Sequence, residues 1–290
     1  MFQVVMNVLF AMGDCTFLDR PIFIWGAPRS GTTLLFELIA KHPDVAYLGA
    51  DEGKPREGTG FWWRAFGEHR GEMSNDLAHP DGIQQIWNAY ASLLRVQGKS
   101  RLLDKIPFMT LWIQLVNEVF PKARHFHIIR DGRAVVNSIL YKLRFSGKEK
   151  DQPFCKEELL YGPHPAKLME PMLQSPAERH AKQWMLLVKQ GRKNASILGR
   201  RYFELRYEDL VHDPPVAMKS IFHHAQLPYD QTFIDDHYAK TLENRNYKWE
   251  SNKCDIASDG FTAHRAVEPE DIPSLREMNP LLRLLGYETL

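Results

Sequence analysis

The sequence predicts an α/β protein, a three-layer α/β/α arrangement around a mostly parallel central sheet. Three observations carry this. Short apolar runs alternate with amphipathic helical stretches, a glycine-spaced turn joins the first run to the first helix, and a later run ending at Arg130 repeats the arrangement. In such sheets ligands bind beyond the carboxyl ends of the strands.

Residues 21–25 form an apolar run of strand length, and 26–35, GAPRSGTTLL, lead out of it. Leu34, Leu35, Leu38 and Ile39 then fall at helical spacing until His42-Pro43 ends the pattern. Residues 45–48 read as a short strand. Residues 49–75 mix glycine, charge and aromatics with little periodicity and read as a long functional loop or lid. Helical periodicity resumes over 83–96 and over 109–120, the latter stopped by Pro121; between them, 100–108 is a short apolar piece carrying Lys105. Residues 123–129 read as a further strand, broken by Asp131-Gly132 before a helix over 134–143.

The stretch 146–176 is rich in charge and proline, as an insertion over the substrate side would be. A long helix follows from Pro176 to about Asn194, then a strand over 201–206, a turn at 207–209 and a helix over 215–225. A polar, aperiodic segment at 242–265 and a closing helix over 272–285 complete the chain. No repeat, low-complexity tract or linker divides it, so one domain spanning 1–290 is expected.

Composition excludes several classes. Lys plus Arg number 37 against 36 Asp plus Glu, so no global basic field attracts nucleic acid or an acidic membrane, and any anion site must be local. Cys15, Cys155 and Cys254 are far apart and odd in number, which suggests neither a disulfide framework nor a zinc site. The apolar run 1–12 lacks a basic flank and is shorter than the roughly 20 residues that span a bilayer, so it reads as a core strand or helix, with a weak signal sequence as the alternative. No later segment qualifies as transmembrane, and a soluble cytoplasmic enzyme is expected.

The stretch 26–35 has the outline of a phosphate-binding loop. In G-x-x-x-x-G-K-[ST], backbone N–H groups cradle phosphates, the lysine reaches the outer ones and the hydroxyl holds Mg²⁺. Gly26 and Gly31 keep that spacing, but the lysine slot is Thr32 and the cation stands inside the loop at Arg29. A guanidinium there forks onto phosphate-like oxygens without the metal geometry of a kinase. A second anion site is HFHIIRDGRAVVNSIL at 125–140. It puts Arg130 at a strand end and Ser138 eight residues on in the next helix, with Arg133 as a further candidate or a mere salt bridge.

These residues resemble a known family. PRSGTTLL at 28–35 is similar to the 5′-phosphosulfate loop of PAPS-dependent sulfotransferases, and RDGRAVVNS at 130–138 to their 3′-phosphate motif. The resemblance continues through His42-Pro43-Asp44, Lys105 with Pro107-Phe108, RYEDL at 206–210 and the C-terminal EPED and LLRLLGYE. It is nearest to the bacterial and tyrosylprotein branch and implies a P-loop-NTPase-like sulfotransferase fold.

What the resemblance implies is sulfuryl transfer from PAPS to an acceptor hydroxyl, with PAP released and no metal required. Pro28, Arg29, Ser30, Gly31, Thr32 and Thr33 would hold the phosphosulfate, Arg130 and Ser138 the 3′-phosphate, and Tyr207 would lie near the adenine, with Ser251 a further cofactor contact. Lys105 matches a lysine that assists the leaving group. The acceptor's proton needs a general base. Glu52, in the pair Asp51-Glu52, is preferred and Glu57 stands next; His69, His79 and His125 are weaker candidates. Phe61, Trp62, Trp63 and Phe66 either line an acceptor pocket in the lid or pack against the core. Saccharide, lipid, phenol, peptide tyrosine and carrier-bound hydroxyls all fit as acceptors, with 49–75 and 146–176 on the acceptor side. The competing readings are a P-loop nucleotide kinase and a non-catalytic PAP- or nucleotide-binding module.

Overall fold

The computed structural model describes residues 18–50, 56–67, 74–145, 175–230 and 269–290. Five strands, β1 (Ile22–Trp25), β2 (Val45–Ala46), β3 (Arg101–Lys105), β4 (Arg124–Ile129) and β5 (Tyr202–Arg206), form one sheet in the order β2-β3-β1-β4-β5. Every pairing is parallel, with Ile24 opposite Lys105 on one side of β1 and opposite Phe126 on the other. The chain leaves β1 toward β2 and β3 on one flank and later toward β4 and β5 on the other. A topological switch point therefore lies at the carboxyl end of β1, where open sheets bind ligands.

The β1 sequence explains the layers. Side chains alternate across a strand, and all four β1 residues are buried because both faces are covered. Ile22 and Ile24 join a core with Phe126, Ile128 and the apolar stripe of α1 (Thr32–Ala40) and α8 (Pro214–Ala225). Phe23 and Trp25 face the other way, into a core shared with α3 (Pro80–Gln97), α4 (Ile113–Val119), α5 (Gly132–Phe145) and α6 (Pro176–Leu198).

Caps set the helix starts. His79 accepts from the Gly82 N–H before Pro80, and Ser175 accepts from the Glu178 N–H before Pro176. Gly98 closes α3 in the left-handed region at φ 61°. The described residues include no helix long and apolar enough to cross a membrane.

Several expected elements differ. The piece 100–108 contains β3, a strand beside the central one. Three of its five residues are charged, which hid it from hydrophobic patterning, yet all five are buried. The fold accommodates Arg101 by letting it donate to the carbonyls of Arg20, Ala225 and Gln226. The stretch 109–120 is a 3-10 turn (Pro107–Trp112) followed by the shorter α4. Within the proposed lid, α2 (Thr59–Phe66) is helical. The expected turn at 207–209 is the start of α7 (Tyr207–His212). The closing helix is two pieces, α9 (Ile272–Arg276) and α10 (Asn279–Leu284), because Pro280 has no N–H to continue the first. The segments 1–12 and 242–265 lie outside the described residues, as does nearly all of 146–176.

Candidate active site

The turn after β1 is built by backbone shape. Gly26 has φ 152°, and a Cβ there would come within 2.3 Å of the Ile128 carbonyl oxygen on β4. Gly31 has φ 96°, and its Cβ would meet Tyr207 Cδ2 at 2.4 Å. Between them Arg29 adopts φ 70°, a left-handed conformation costing a non-glycine residue about 1–2 kcal/mol. Strain of this kind persists where the surrounding structure enforces it and is concentrated at binding sites. The Ser30 N–H donates to the Ala27 carbonyl at 3.1 Å, curling the turn onto the start of α1.

At that start no side chain caps the helix and no acidic residue stands in its first turn, so the positive end of the nine-residue α1 is available to an anion. Pro28, Ser30 and Thr32 are buried, while Arg29 and Thr33 are exposed. Ser30 Oγ is buried with no hydrogen-bond partner among the described residues.

The structure brings the second anion motif onto this turn. Arg29 Nε donates to Ser138 Oγ at 3.1 Å, and Arg130 Nη1 donates to the Arg29 carbonyl at 3.2 Å. The Arg130 guanidinium lies 4.5 Å from the centroid of the Tyr207 ring, which also backs Gly31. Arg29, Arg130, Ser138 and Tyr207, drawn from four separate elements, thus meet at one place.

A frame holds Arg130 there. Trp184 Nε1 donates to the Arg130 carbonyl at 3.1 Å, and Gly132 lets that indole approach, since a Cβ would lie 2.7 Å from it. The Asp131 N–H donates to Glu208 Oε1 at 3.0 Å, and Tyr287 donates to Glu208 Oε2 at 2.8 Å. Arg133 pairs with the Asp131 carboxylate, the salt-bridge alternative foreseen for it. Trp184 carried no signal as a support, and Glu208 and Tyr287 stood only inside the RYEDL and C-terminal stretches of the resemblance.

Beside the turn, Lys105 at the tip of β3 makes an ion pair with Glu57, the residue before the Gly58 cap of α2. Only 11% of the lysine side chain is exposed, against 41% of the glutamate's, so the pair opens to solvent through Glu57. Asp104 is buried behind it, and burial lifts its carboxyl from 3.8 to about 6. Among the described residues no cluster of three or more His, Cys, Asp or Glu could hold a metal ion.

Glu52, Ser251 and His69 lie outside the described residues. His79 caps α3. His125 is fully buried in the sheet, where burial lowers its pKa to about 3, so it is a core residue and no base. Of the lid aromatics, Trp62 is buried against Phe23 and Phe120 and Phe66 against Trp62 and His79, which makes them core, while Phe61 is half-buried with its ring edge-on to Tyr90.

Comparison with known proteins gives consistent matches. Residues 21–231 match the model of the "Sulfotransferase family". Protein-tyrosine sulfotransferase A of Caenorhabditis elegans is 24% identical over 277 residues, covering 92% of this chain and 67% of that protein. Omega-hydroxy-beta-dihydromenaquinone-9 sulfotransferase Stf3 of Mycobacterium tuberculosis is 22% identical over 302 residues, covering 81% of this chain and 73% of the relative. The crystal structure of a sulfotransferase from Alicyclobacillus acidocaldarius superposes with a TM-score of 0.52 at 16% identity, over 93% of this chain and 98% of that one, and so shares the fold.

Proposed function

Since the chain belongs to the sulfotransferase family, we propose that it transfers the sulfuryl group of PAPS to an acceptor hydroxyl by in-line displacement, releasing PAP. The observation that carries this reading is the meeting of Arg29, Arg130 and Ser138 at the uncapped N-terminus of α1. PAPS bears a 5′-phosphosulfate and a 3′-phosphate, and two adjoining cationic sites suit that donor. The residues present fit it: the buried Ser30 hydroxyl supplies an unmatched donor, and the turn's amides with Thr32 and Thr33 supply the rest of the 5′ cradle.

In this reading Arg130 and Ser138 bind the 3′-phosphate, and Arg29 bridges the two sites. Tyr207, under Arg130, borders the adenine end. As the S–O bond to the donor phosphate breaks, negative charge builds on the departing oxygen, and Arg29 with Lys105 stabilises it. The acceptor oxygen forms the new bond to sulfur, and its proton passes to Glu57. The Glu57–Lys105 ion pair supports these paired roles. It keeps base and cation adjacent, and a sulfuryl group entering between them draws the ammonium to its own oxygens and leaves the carboxylate for the acceptor proton. Glu57 takes precedence over Glu52 on that contact.

A nucleotide kinase would need a lysine where Thr32 stands buried at the head of α1. The acceptor is a hydroxyl-bearing molecule of the breadth suggested by relatives named for protein tyrosine and for a hydroxylated menaquinone.

The test is transfer of ³⁵S from labelled PAPS to a panel of a tyrosine peptide, a chito-oligosaccharide, a hydroxyl-bearing quinol and 4-nitrophenol, with PAP binding measured by calorimetry. Labelled product on one of them is expected. PAP binding without transfer to any acceptor, or to water, would leave only a nucleotide-binding module.

A further inference from the structure

We propose that Asp104 is a positioning residue for the reaction, a buried carboxylate that clamps the backbone of Glu57-Gly58 to the backbone of Lys105 and so fixes the general base against the catalytic cation. The proposal rests on the reading that Glu57 and Lys105 work at the reacting centre.

Asp104 Oδ1 accepts two backbone N–H groups, from Gly58 at 3.0 Å and from Lys105 at 2.7 Å. One oxygen thus holds the residue that follows Glu57 and Lys105 itself. Oδ2 accepts the Tyr90 hydroxyl at 2.6 Å, and Tyr90 in turn accepts Trp62 Nε1 at 3.0 Å. The clamp joins β3, the entry to α2 and the middle of α3. Gly58 is required at its jaw, because a Cβ there would lie 2.2 Å from Asp104 Oδ2 and 2.5 Å from the Tyr90 oxygen.

Only an acceptor-only side chain satisfies this arrangement. Three donors converge on Asp104, and the Tyr90 oxygen already receives the indole N–H. An asparagine amide would turn N–H toward Tyr90 and leave its hydroxyl proton without an acceptor. Burying a carboxylate is costly, and an apolar core would stabilise the same site at less expense. The Lys105 ammonium is directed to Glu57 rather than to Asp104, so the buried charge holds the pair's geometry without consuming its cation.

The groups facing Asp104 are Tyr90 from α3, Glu57 and Gly58 from the entry to α2, and Lys105 on its own strand. Burial raises its pKa most, the Glu57 charge adds to that, and the Tyr90 hydroxyl and two N–H donors oppose it, leaving about 6. Protonation there puts a donor among donors and loosens the clamp, so turnover acquires an acid limb near that pH.

The experiment compares wild type, Asp104→Asn and Tyr90→Phe for kcat, donor KM and PAP affinity between pH 5 and 8, using the acceptor that wild type turns over. Asp104→Asn is expected to lose roughly 100-fold in kcat, the scale of a 1 Å misplacement, with donor KM and PAP affinity within about twofold, and to lack the acid limb. Tyr90→Phe removes a bond that favours the charged carboxylate, so its acid limb moves to higher pH; it serves alone if Asp104→Asn does not fold. An unchanged kcat in Asp104→Asn, or a limb that stays in place in Tyr90→Phe, overturns the proposal while leaving sulfuryl transfer intact. A lower melting temperature with an unaltered pH profile marks a merely structural residue and overturns it too. A wild type that binds PAP but transfers to nothing overturns both readings.

Discussion

Arg29 and Ser138 are 109 residues apart in sequence and joined by a 3.1 Å hydrogen bond from Nε to Oγ. The loop after β1 and helix α5 are therefore one hydrogen-bonded unit, and a change on one side is felt on the other. Arg29→Ala is expected to lower kcat by about 10²–10³, the scale of losing one donor to developing charge, with little change in PAP affinity. Arg130→Ala is expected to weaken PAP binding by about 10- to 100-fold, as loss of a hydrogen bond to a charged group does. Calorimetry with PAP beside steady-state kinetics separates the two. Equal effects of both variants on binding alone would refute these roles. Because of the Arg29–Ser138 bond, the double variant Arg29→Ala, Ser138→Ala should be less impaired than the sum of its parts.

Gly31→Ala should destabilise the protein and abolish PAP binding together. A Cβ at φ 96° is strained by about 1 kcal/mol or more, and at 2.4 Å from Tyr207 Cδ2 it also pushes the ring on which Arg130 rests. Tyr207→Ala in the same chain relieves the clash but leaves a cavity where that buried ring packs, so the double variant should be less destabilised than the sum of the two single variants. Strict additivity would show that the clash carries no cost here.

Much of this was legible in the sequence because its signals are local. The turn at 26–35 and the strand-to-helix step at 130–138 each encode backbone shape and charge within a dozen residues. β3 was not, since Arg101, Asp104 and Lys105 break the apolar run, and each is accommodated by partners far along the chain, such as Gln226 for Arg101 and Glu57 for Lys105. The choice of general base had the same difficulty. Whether a loop carboxylate reaches Lys105 depends on how α2 docks on β3, which no spacing within 49–75 expresses. That docking also decides the aromatics, taking Trp62 and Phe66 into the core. The support behind Arg130 runs from Asp131 to Glu208 and on to Tyr287, separations of 77 and 79 residues, and is purely tertiary.

Glu57→Gln should cut kcat by about 10²–10⁴, the range for removing a general base, while PAP affinity stays near that of wild type. Glu52→Gln made in parallel decides between the two carboxylates the sequence offers. A large loss in Glu52→Gln with Glu57→Gln near wild type would move the base to the other residue and leave Glu57 as an ion-pair partner of Lys105 only.

Acid should destabilise the fold before it reaches the ordinary carboxylate range. His125 and His127 are fully buried in β4, and burial holds each near a pKa of about 3, well below the usual 6.5. His127 stacks on Trp25 at 4.5 Å and shares its Nδ1 with the Tyr202 hydroxyl. The unfolded chain binds these two protons below pH 6.5 and the native state does not, so the stability they allow is complete above 6.5 and is lost as pH falls toward 3. Asp104 acts in the opposite sense. Its folded pKa of about 6 exceeds the unfolded 3.8, so its contribution is present below 3.8 and is lost as pH rises through 6. Between pH 4 and 6 these two histidines and His224, whose pKa burial lowers to about 4, outweigh one aspartate. Each unbalanced proton is worth about 1.4 kcal/mol per pH unit, so stability should fall by at least roughly that amount per unit of acidification in this window. Denaturant midpoints at pH 4.5, 5.5 and 7 measure the slope. Asp104→Asn should make it steeper, whereas a flat profile in wild type would mean that the β4 histidines are protonated alike in the folded and unfolded chains.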